Sequence, residues 1–323
     1  MVKFALACLV VAACRFVHGL GGTPGGGDAG DAPMIGSDAL RDGTVAVSCL
    51  PKWKDGSVQL GSAAELSQLV VGNYDDDPFV TPDDLTLYFD GMGSASEDIF
   101  ASTRARAGDP WGTPAVVPSL SSTADESKTS ITGDGLDAFI SSTIAGGVGN
   151  LDVWEAMRAD TQSAFGMWSE TNLANVNTPG SDYDAAISFD GEHLYYAPSP
   201  TAGAQEIYVA ARNLDGTFAT PVELTELADP GGASTADPAP SRDELVLVFS
   251  SQRTGSGVPM GRNMWYATRA STSDAFSPPV QIPDINTDND EGGPELSDDG
   301  CTLYFSSDRG SDGQTHVYYA QVM

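Results

Sequence analysis

Residues 297–305 read SDDGCTLYF: a serine, an acidic pair closed by glycine, then an apolar-aromatic run. The phrase recurs as TPDDLTLYF (81–89), TGDGLDAFI (132–140), SFDGEHLYY (188–196) and SRDELVLVF (241–249). The shared aspartates are Asp83, Asp134, Asp190, Asp243 and Asp299, at intervals of 51, 56, 53 and 56 residues. A steady period of this length is the mark of a repeat architecture. The acidic or Gly step after each aspartate tolerates positive φ and predicts a tight hairpin, so these five aspartates are read as turn formers. The run that follows is apolar on both alternate sets of positions, as in a strand covered on both faces.

Working outward, each copy is preceded by a short strand centred on Val80, Ile131, Ile187, Pro240 or Leu296. A further strand follows 15 to 20 residues on: DIFASTR, DVWEAMR, EIYVAAR, NMWYATR and the divergent HVYYAQV. A fourth element reads WGTPAVV, FATPVEL and FSPPVQI, with a variant near Trp168 in the second copy. Four short strands per repeat, five times over, predict an all-β, five-bladed β-propeller of antiparallel blades. The last repeat ends before its fourth strand. LGSAAEL (60–66) aligns with FATPVEL, so an N-terminal strand is expected to close the ring and cover its edge. A degenerate sixth blade from residues 34–59 is the alternative, but it lacks the Asp hairpin.

Cys49 precedes this closing strand and Cys301 lies in the last repeat, so a disulfide between them would latch the closure. Across so long a loop the chain-entropy model gives at most roughly 4–5 kcal/mol. The other two cysteines, Cys8 and Cys14, fall in a segment with Lys3 ahead of an apolar run, which reads as a secretory leader (1–19). The sequence Val11-Ala12-Ala13-Cys14 also resembles a lipobox; in that reading the leader is 1–13 and Cys14 carries lipid. Residues 20–44 are a Gly-rich tether, and 45–323 the propeller. The expected location is outside the cytoplasm: periplasmic, outer-membrane-anchored or secreted. No segment is long enough to span a membrane as a helix.

The repeats resemble the WD40-like β-propeller repeat family of bacterial exported proteins, the TolB-type repeats. The resemblance rests on the Ser-x-Asp-Gly-x-x-Leu-Tyr-Phe hairpin, on Ser250-Ser251-Gln252-Arg253 and Ser306-Ser307-Asp308-Arg309 directly after it, and on the Asp-Ile-Tyr-type strand. It covers residues 57–323. It implies the fold and a binding scaffold of a kind that serves diverse partners, and it names no ligand.

Among 323 residues, 45 acids face 15 Lys plus Arg, a net charge of −30 that excludes nucleic acid as a partner. Only three histidines occur, His18, His193 and His316, which argues against a His-rich metal centre. Acids recur before the inner strands at Asp75, Asp77, Glu126, Asp182, Asp184, Asp237 and Glu291, and are expected near one channel mouth. They would bind a cation or basic partner, or else order turns and pair with Arg104, Arg158, Arg212 and Arg269. Asn286, Asp288, Asp290 and Glu291 alternate oxygen ligands, a weak calcium candidate lacking the EF-hand Gly and final Glu. No other cofactor is expected. The main expectation is a monomeric, non-enzymatic scaffold of the cell envelope or extracellular space that binds a protein. The alternative is a propeller that binds or hydrolyses glycans. For hydrolysis, Glu295 is the candidate acid, but its equivalents Phe79, Ser130, Ala186 and Ala239 supply no second carboxylate. Trp111, Trp154, Trp265, Tyr88, Tyr195 and Tyr304 recur in register and are read as packing, with glycan stacking the alternative.

Overall fold

The structure is a computed structural model, and it describes residues 47–93, 96–199, 204–255 and 257–323. The leader, the tether and Cys14 lie outside the described residues. The chain begins with a one-turn helix α1 (Leu50–Lys54) and a short strand β1 (Ala64–Glu65). Blade 1 is β2 (Asp75–Val80), β3 (Thr86–Met92), β4 (Glu97–Thr103) and β5 (Ala115–Val116). Blade 2 is β6 (Glu126–Ile131), β7 (Asp137–Ser142) and β8 (Asp152–Met157). Blade 3 is β9 (Ser181–Ile187), β10 (His193–Ser199), β11 (Tyr208–Ala211) and β12 (Val222–Glu223). Blade 4 is β13 (Thr235–Pro240), β14 (Val246–Ser251), β15 (Asn263–Thr268) and β16 (Val280–Gln281). Blade 5 is β17 (Glu291–Leu296), β18 (Thr302–Ser307) and β19 (His316–Gln321), completed by β1. The expected five-bladed propeller is therefore present. Its inner strands β2, β6, β9, β13 and β17 each contact the next in ring order, and β17 returns to β2. Among the described residues no helix is long and apolar enough to cross a membrane.

The hairpin phrase works as an Asx turn. Asp83 accepts hydrogen bonds from the Thr81 hydroxyl (2.7 Å) and the Leu85 N–H (3.1 Å), and Asp134, Asp190, Asp243 and Asp299 repeat the pattern. The next residue sits at positive φ. Glycine fills it in three blades (Gly135, Gly191, Gly300), whereas Asp84 (57°) and Glu244 (54°) fill it in the others. Each second strand is then covered on both faces: Leu87, Phe89, Leu194, Phe249, Leu303 and Phe305 are fully buried. The Ser-Ser-x-Arg repeated at the ends of β14 and β18 fastens each strand to the crossing loop beneath it. Arg253 donates to the Ser251 hydroxyl and the Leu227 carbonyl, and Arg309 to Ser307 and Ile285.

Closure follows the sequence reading. β1 pairs antiparallel with β19, Ala64 opposite Tyr319, and Cys49–Cys301 form a disulfide. The helix adds a part that the sequence did not disclose. In blades 1, 2 and 4 an arginine Nε donates to the hairpin carbonyl: Arg104 to Asp84, Arg158 to Gly135, Arg269 to Glu244. Blade 5 has Val322 at that position. Trp53 of α1, fully buried, donates its Nε1–H to the Gly300 carbonyl at 2.9 Å instead. Its ring also meets Tyr266 edge-on at 5.4 Å, filling the gap between blades 4 and 5. Residues 50–54 thus form a plug, not the start of a sixth blade. Blade 2 departs from the plan: its fourth strand is reduced to a single bridge, Glu155 to Ser169.

Candidate functional site

Every inner strand carries a β-bulge at the same point, where pairing with the second strand shifts register. The bulge residue adopts positive φ in all five blades: Asp77 (47°), Lys128 (36°), Asp184 (62°), Asp237 (53°) and Gly293 (50°). Four non-glycine residues in this region cost about 1–3 kcal/mol each, and strain of that kind clusters at functional sites. The result is a ring of bulge residues around the channel. One carboxylate oxygen from each of Asp77, Asp184 and Asp237 lies within 4.8 Å of the others, and Lys128 Nζ stands 3.4 Å from Asp77. These side chains are buried, Asp77 and Asp184 8% exposed, Asp237 and Lys128 4%.

Backbone and hydroxyl donors converge on the ring. Asp237 Oδ2 accepts from the Ser250 hydroxyl (2.5 Å), the Gly293 N–H (3.3 Å) and Arg262 (3.3 Å). Asp184 accepts from the Asp237 N–H, and the Lys128 N–H reaches Asp90. The environments divide the protons. Burial raises Asp237, but Arg262, Lys128, Ser250 and Gly293 together outweigh it and hold the carboxyl below its usual range. Burial and the neighbouring charges of Asp237 and Asp77 push Asp184 well above that range. Asp77 is pushed up to about 7 by burial, against the pull of Lys128. One residue ring away, burial raises Glu295 to about 8. Pairs of titratable groups driven apart in this way are how acid and base roles are assigned in one site.

On the hairpin side, Phe79, Ser130, Ala186 and Glu295 line a cavity of about 50 Å³. Arg242, at the same cavity, lies over the Phe189 ring at 3.8 Å and pairs with Asp298. On the opposite side Arg262 is 39% exposed along its side chain while its guanidinium touches Asp237, so it runs from the surface to the ring.

The seven acids expected at one mouth separate into two groups. Asp77, Asp184 and Asp237 form the ring. Asp75, Glu126, Asp182 and Glu291 instead accept the backbone N–H four residues before them, from Val71, Ser122, Thr178 and Thr287, and so order the turns between blades. None of the seven is paired with Arg104, Arg158, Arg212 or Arg269, which serve the hairpins and Glu155 and lie over Trp111, Phe165, Phe218 and Phe276. Asp288 and Asp290 accept N–H groups of Met260 and Arg262 and join neither of the two His/Asp/Glu groups spaced to hold a metal among the described residues. The second such group, Asp190, His193 and Glu244, bridges blades 3 and 4, where Glu244 also accepts from Tyr195 and pairs with Arg269. Sequence reasoning missed Lys128, Arg262 and Asp90. A charged or Gly residue in all five copies of the column 77/128/184/237/293 was the available signal.

The raised acids carry a stability consequence. A carboxyl whose folded pKa lies above its unfolded value of about 4 binds more protons when folded, so its contribution falls as pH rises toward the folded pKa. Asp77 and Glu295 place that window between about pH 4 and their folded values of about 7 and 8. His316 acts in the same direction. Burial lowers it, yet Asp75 (2.8 Å) and Asp312 (3.2 Å) on its two ring nitrogens raise it, so its stabilisation is complete below about pH 6.5 and lost above its raised pKa. Denaturant unfolding is expected to show greater stability at pH 5 than at pH 8, with a flatter profile for Glu295→Gln. A stability that rises over this interval would contradict the assignment.

No family model matches the chain, and no curated protein matches it. Solved structures do. They include TolB from Acinetobacter baumannii (14% identity, 76% of this chain and 54% of that one, TM-score 0.42). The Bacteroides ovatus xyloglucan PUL GH43B matches at 13% identity over 79% of this chain and 54% of that one, TM-score 0.51. An endo-arabinase from Bacteroides thetaiotaomicron matches at 16% identity over 81% and 98%, TM-score 0.52. The chain spans about half the length of the first two. The matches at TM-score 0.50 and above show a propeller fold shared with glycoside hydrolases. They correct the expectation of a non-enzymatic protein: the endo-arabinase and a GH43 endo-arabinanase from Bacillus licheniformis (16% identity, 78% of this chain and 94% of that one, TM-score 0.50) are enzymes, so the fold gives no ground for excluding catalysis.

Proposed function

We propose that this protein is an exported, carbohydrate-active propeller that hydrolyses glycosidic bonds in its channel. The observation that carries this reading is the meeting of three carboxylates from three blades within 4.8 Å, in surroundings that lower Asp237 and raise Asp184 and Asp77. Asp184 would give its proton to the leaving oxygen as the glycosidic C–O bond breaks. Asp237, with an oxygen within 4.8 Å of Asp184, is too close to leave room for a water between them and suits a retaining pair. It would bond to the anomeric carbon as the glycosidic C–O bond breaks, and a water deprotonated by Asp184 would then displace it and release the sugar. Arg262, Lys128 and the Ser250 hydroxyl keep Asp237 ionised, and Glu295 is a second proton reservoir one ring away.

Charge narrows the substrate. A net charge of −30 and an acid-lined channel repel uronic acids, so the glycan is neutral. Similar structures of TM-score 0.50 and 0.52 are named for arabinan hydrolysis, which makes arabinan the first polymer to try. The test is release of reducing ends from arabinan and other neutral polysaccharides. Turnover by the wild type that fails in Asp184→Asn is expected. Binding without turnover, or equal turnover by the variant, would contradict the reading.

A further inference from the structure

Five equivalent clefts separate the blades, and the one between blades 5 and 1 is open. Its wall on blade 5 carries Thr302 and Tyr304 from β18 and Tyr319 and Gln321 from β19; register places Tyr304 opposite Tyr319 and Thr302 opposite Gln321. The facing wall is Asp84, Arg104 and the 108–111 turn ending in Trp111. Between them lies a cavity of about 360 Å³, several times the volume in the channel. The preceding cleft shows what fills such a gap. There Tyr266, at the position equivalent to Tyr319, is met edge-on by Trp53. In this cleft the counterpart of Trp53 is Arg104, whose Nε donates to the hairpin carbonyl of Asp84, and it leaves Tyr319 half-buried.

The lining decides the ligand. Arg104 is committed: it pairs with Asp84, donates to the carbonyls of Asp84 and Asp109, and lies over Trp111 at 4.0 Å. The remaining charged groups, Glu65 and Asp109, are acidic and exposed, which disfavours an anion. Exposed Gln68 and Gln321, beside the Thr302 hydroxyl and the Tyr319 ring, combine planar amides, a hydroxyl and an aromatic face. An apolar ring with a few convergent polar groups in a cleft of this volume suits a small polyhydroxylated ligand.

We infer that the cleft between blades 5 and 1 is a second carbohydrate site, which holds two or three units of a neutral glycan away from the channel. This rests on the carbohydrate reading above for its ligand class but not on the channel chemistry. It would keep a polymer on the protein between cleavage events.

The test uses the full chain carrying Asp237→Asn, so that bound sugar is not consumed. Titration with neutral arabino- and xylo-oligosaccharides of three to six units, followed by calorimetry, is expected to show binding. Galacturonate oligomers of equal length are expected not to bind. Adding Gln68→Ala with Gln321→Ala, both exposed, should weaken binding at least tenfold, and Tyr319→Ala should do the same. Unchanged affinity in the glutamine double variant, preference for the galacturonates, or no binding by the parent would overturn the inference. The two proposals fail separately. Wild-type turnover of a small chromogenic glycoside, unaffected by Gln68→Ala with Gln321→Ala, reports on the channel alone. Cleft binding without that turnover would leave this inference standing and remove the hydrolase.

Discussion

Asp237→Asn is expected to lower turnover of a neutral polysaccharide by at least about 10²–10⁴-fold, since the amide cannot bond to the anomeric carbon and only the proton donor remains. The substitution preserves shape, and Asn tolerates the positive φ of 53° that this position requires. The amide oxygen can still accept from the Ser250 hydroxyl and the Gly293 N–H. What disappears is the anion opposite Lys128 and Arg262. Asp184→Asn should cost a similar factor by removing the proton donor. The same kinetics measured with Asp75→Asn provide the contrast. Asp75 is equally buried but accepts from Val71 and His316 at a blade junction, so its loss should reduce stability and leave kcat of the folded fraction near the wild-type value. Equal losses of kcat in Asp75→Asn and Asp237→Asn would place the chemistry elsewhere.

The second large effect concerns closure. Cys49→Ser with Cys301→Ser should lower unfolding free energy by about 2–5 kcal/mol, because the bridge closes a loop of 252 residues and the entropic benefit grows with loop length. The segment it secures is short and carries several contacts of its own. The Cys49 N–H donates to the Asp299 carbonyl, Trp53 to Gly300, and Lys54 pairs with Asp243. Loss of the bridge should therefore loosen α1 and β1 first, seen as faster amide exchange at Leu66, whose N–H bonds to the Val317 carbonyl. Trp53→Phe, which keeps the ring but deletes the donor to Gly300, should produce a smaller loss in the same region. Guanidinium unfolding of oxidised and reduced wild type gives the comparison. Coincident transitions would mean that the noncovalent plug alone holds the ring.

The architecture was readable because one local device, the Asx hairpin, recurs in every blade and must repeat its residues to repeat its geometry. The closing strand was readable because LGSAAEL must fit the same outer edge as FATPVEL. The plug was not, since Trp53 replaces an arginine from a different part of the chain and shares no motif with it. The channel was only half readable. Asp75 and Asp77 were grouped because acids recur before each inner strand, and a partner for Glu295 was sought in its own column. Strict alternation would put positions 75, 77 and 79 of β2 on one face. The bulge at residue 77 breaks the alternation. It separates Asp75 from the ring and brings the three acids to Lys128, the cation that also acts on Glu295. Lys128 escaped notice because the pattern sought was acidic, although it is the cation that makes the acid ring possible.

The most direct measurement is the pH dependence of kcat/KM on a neutral polysaccharide for the wild type. The opposed shifts of Asp237 and Asp184 predict a bell: an acid limb set by the lowered carboxyl of Asp237 and an alkaline limb set by the raised carboxyl of Asp184. Asp237→Asn should collapse the rate across the range. A rate that is absent on every neutral glycan, or one whose two limbs persist unchanged in Asp237→Asn, would contradict the assignment of the channel acids as the reacting groups.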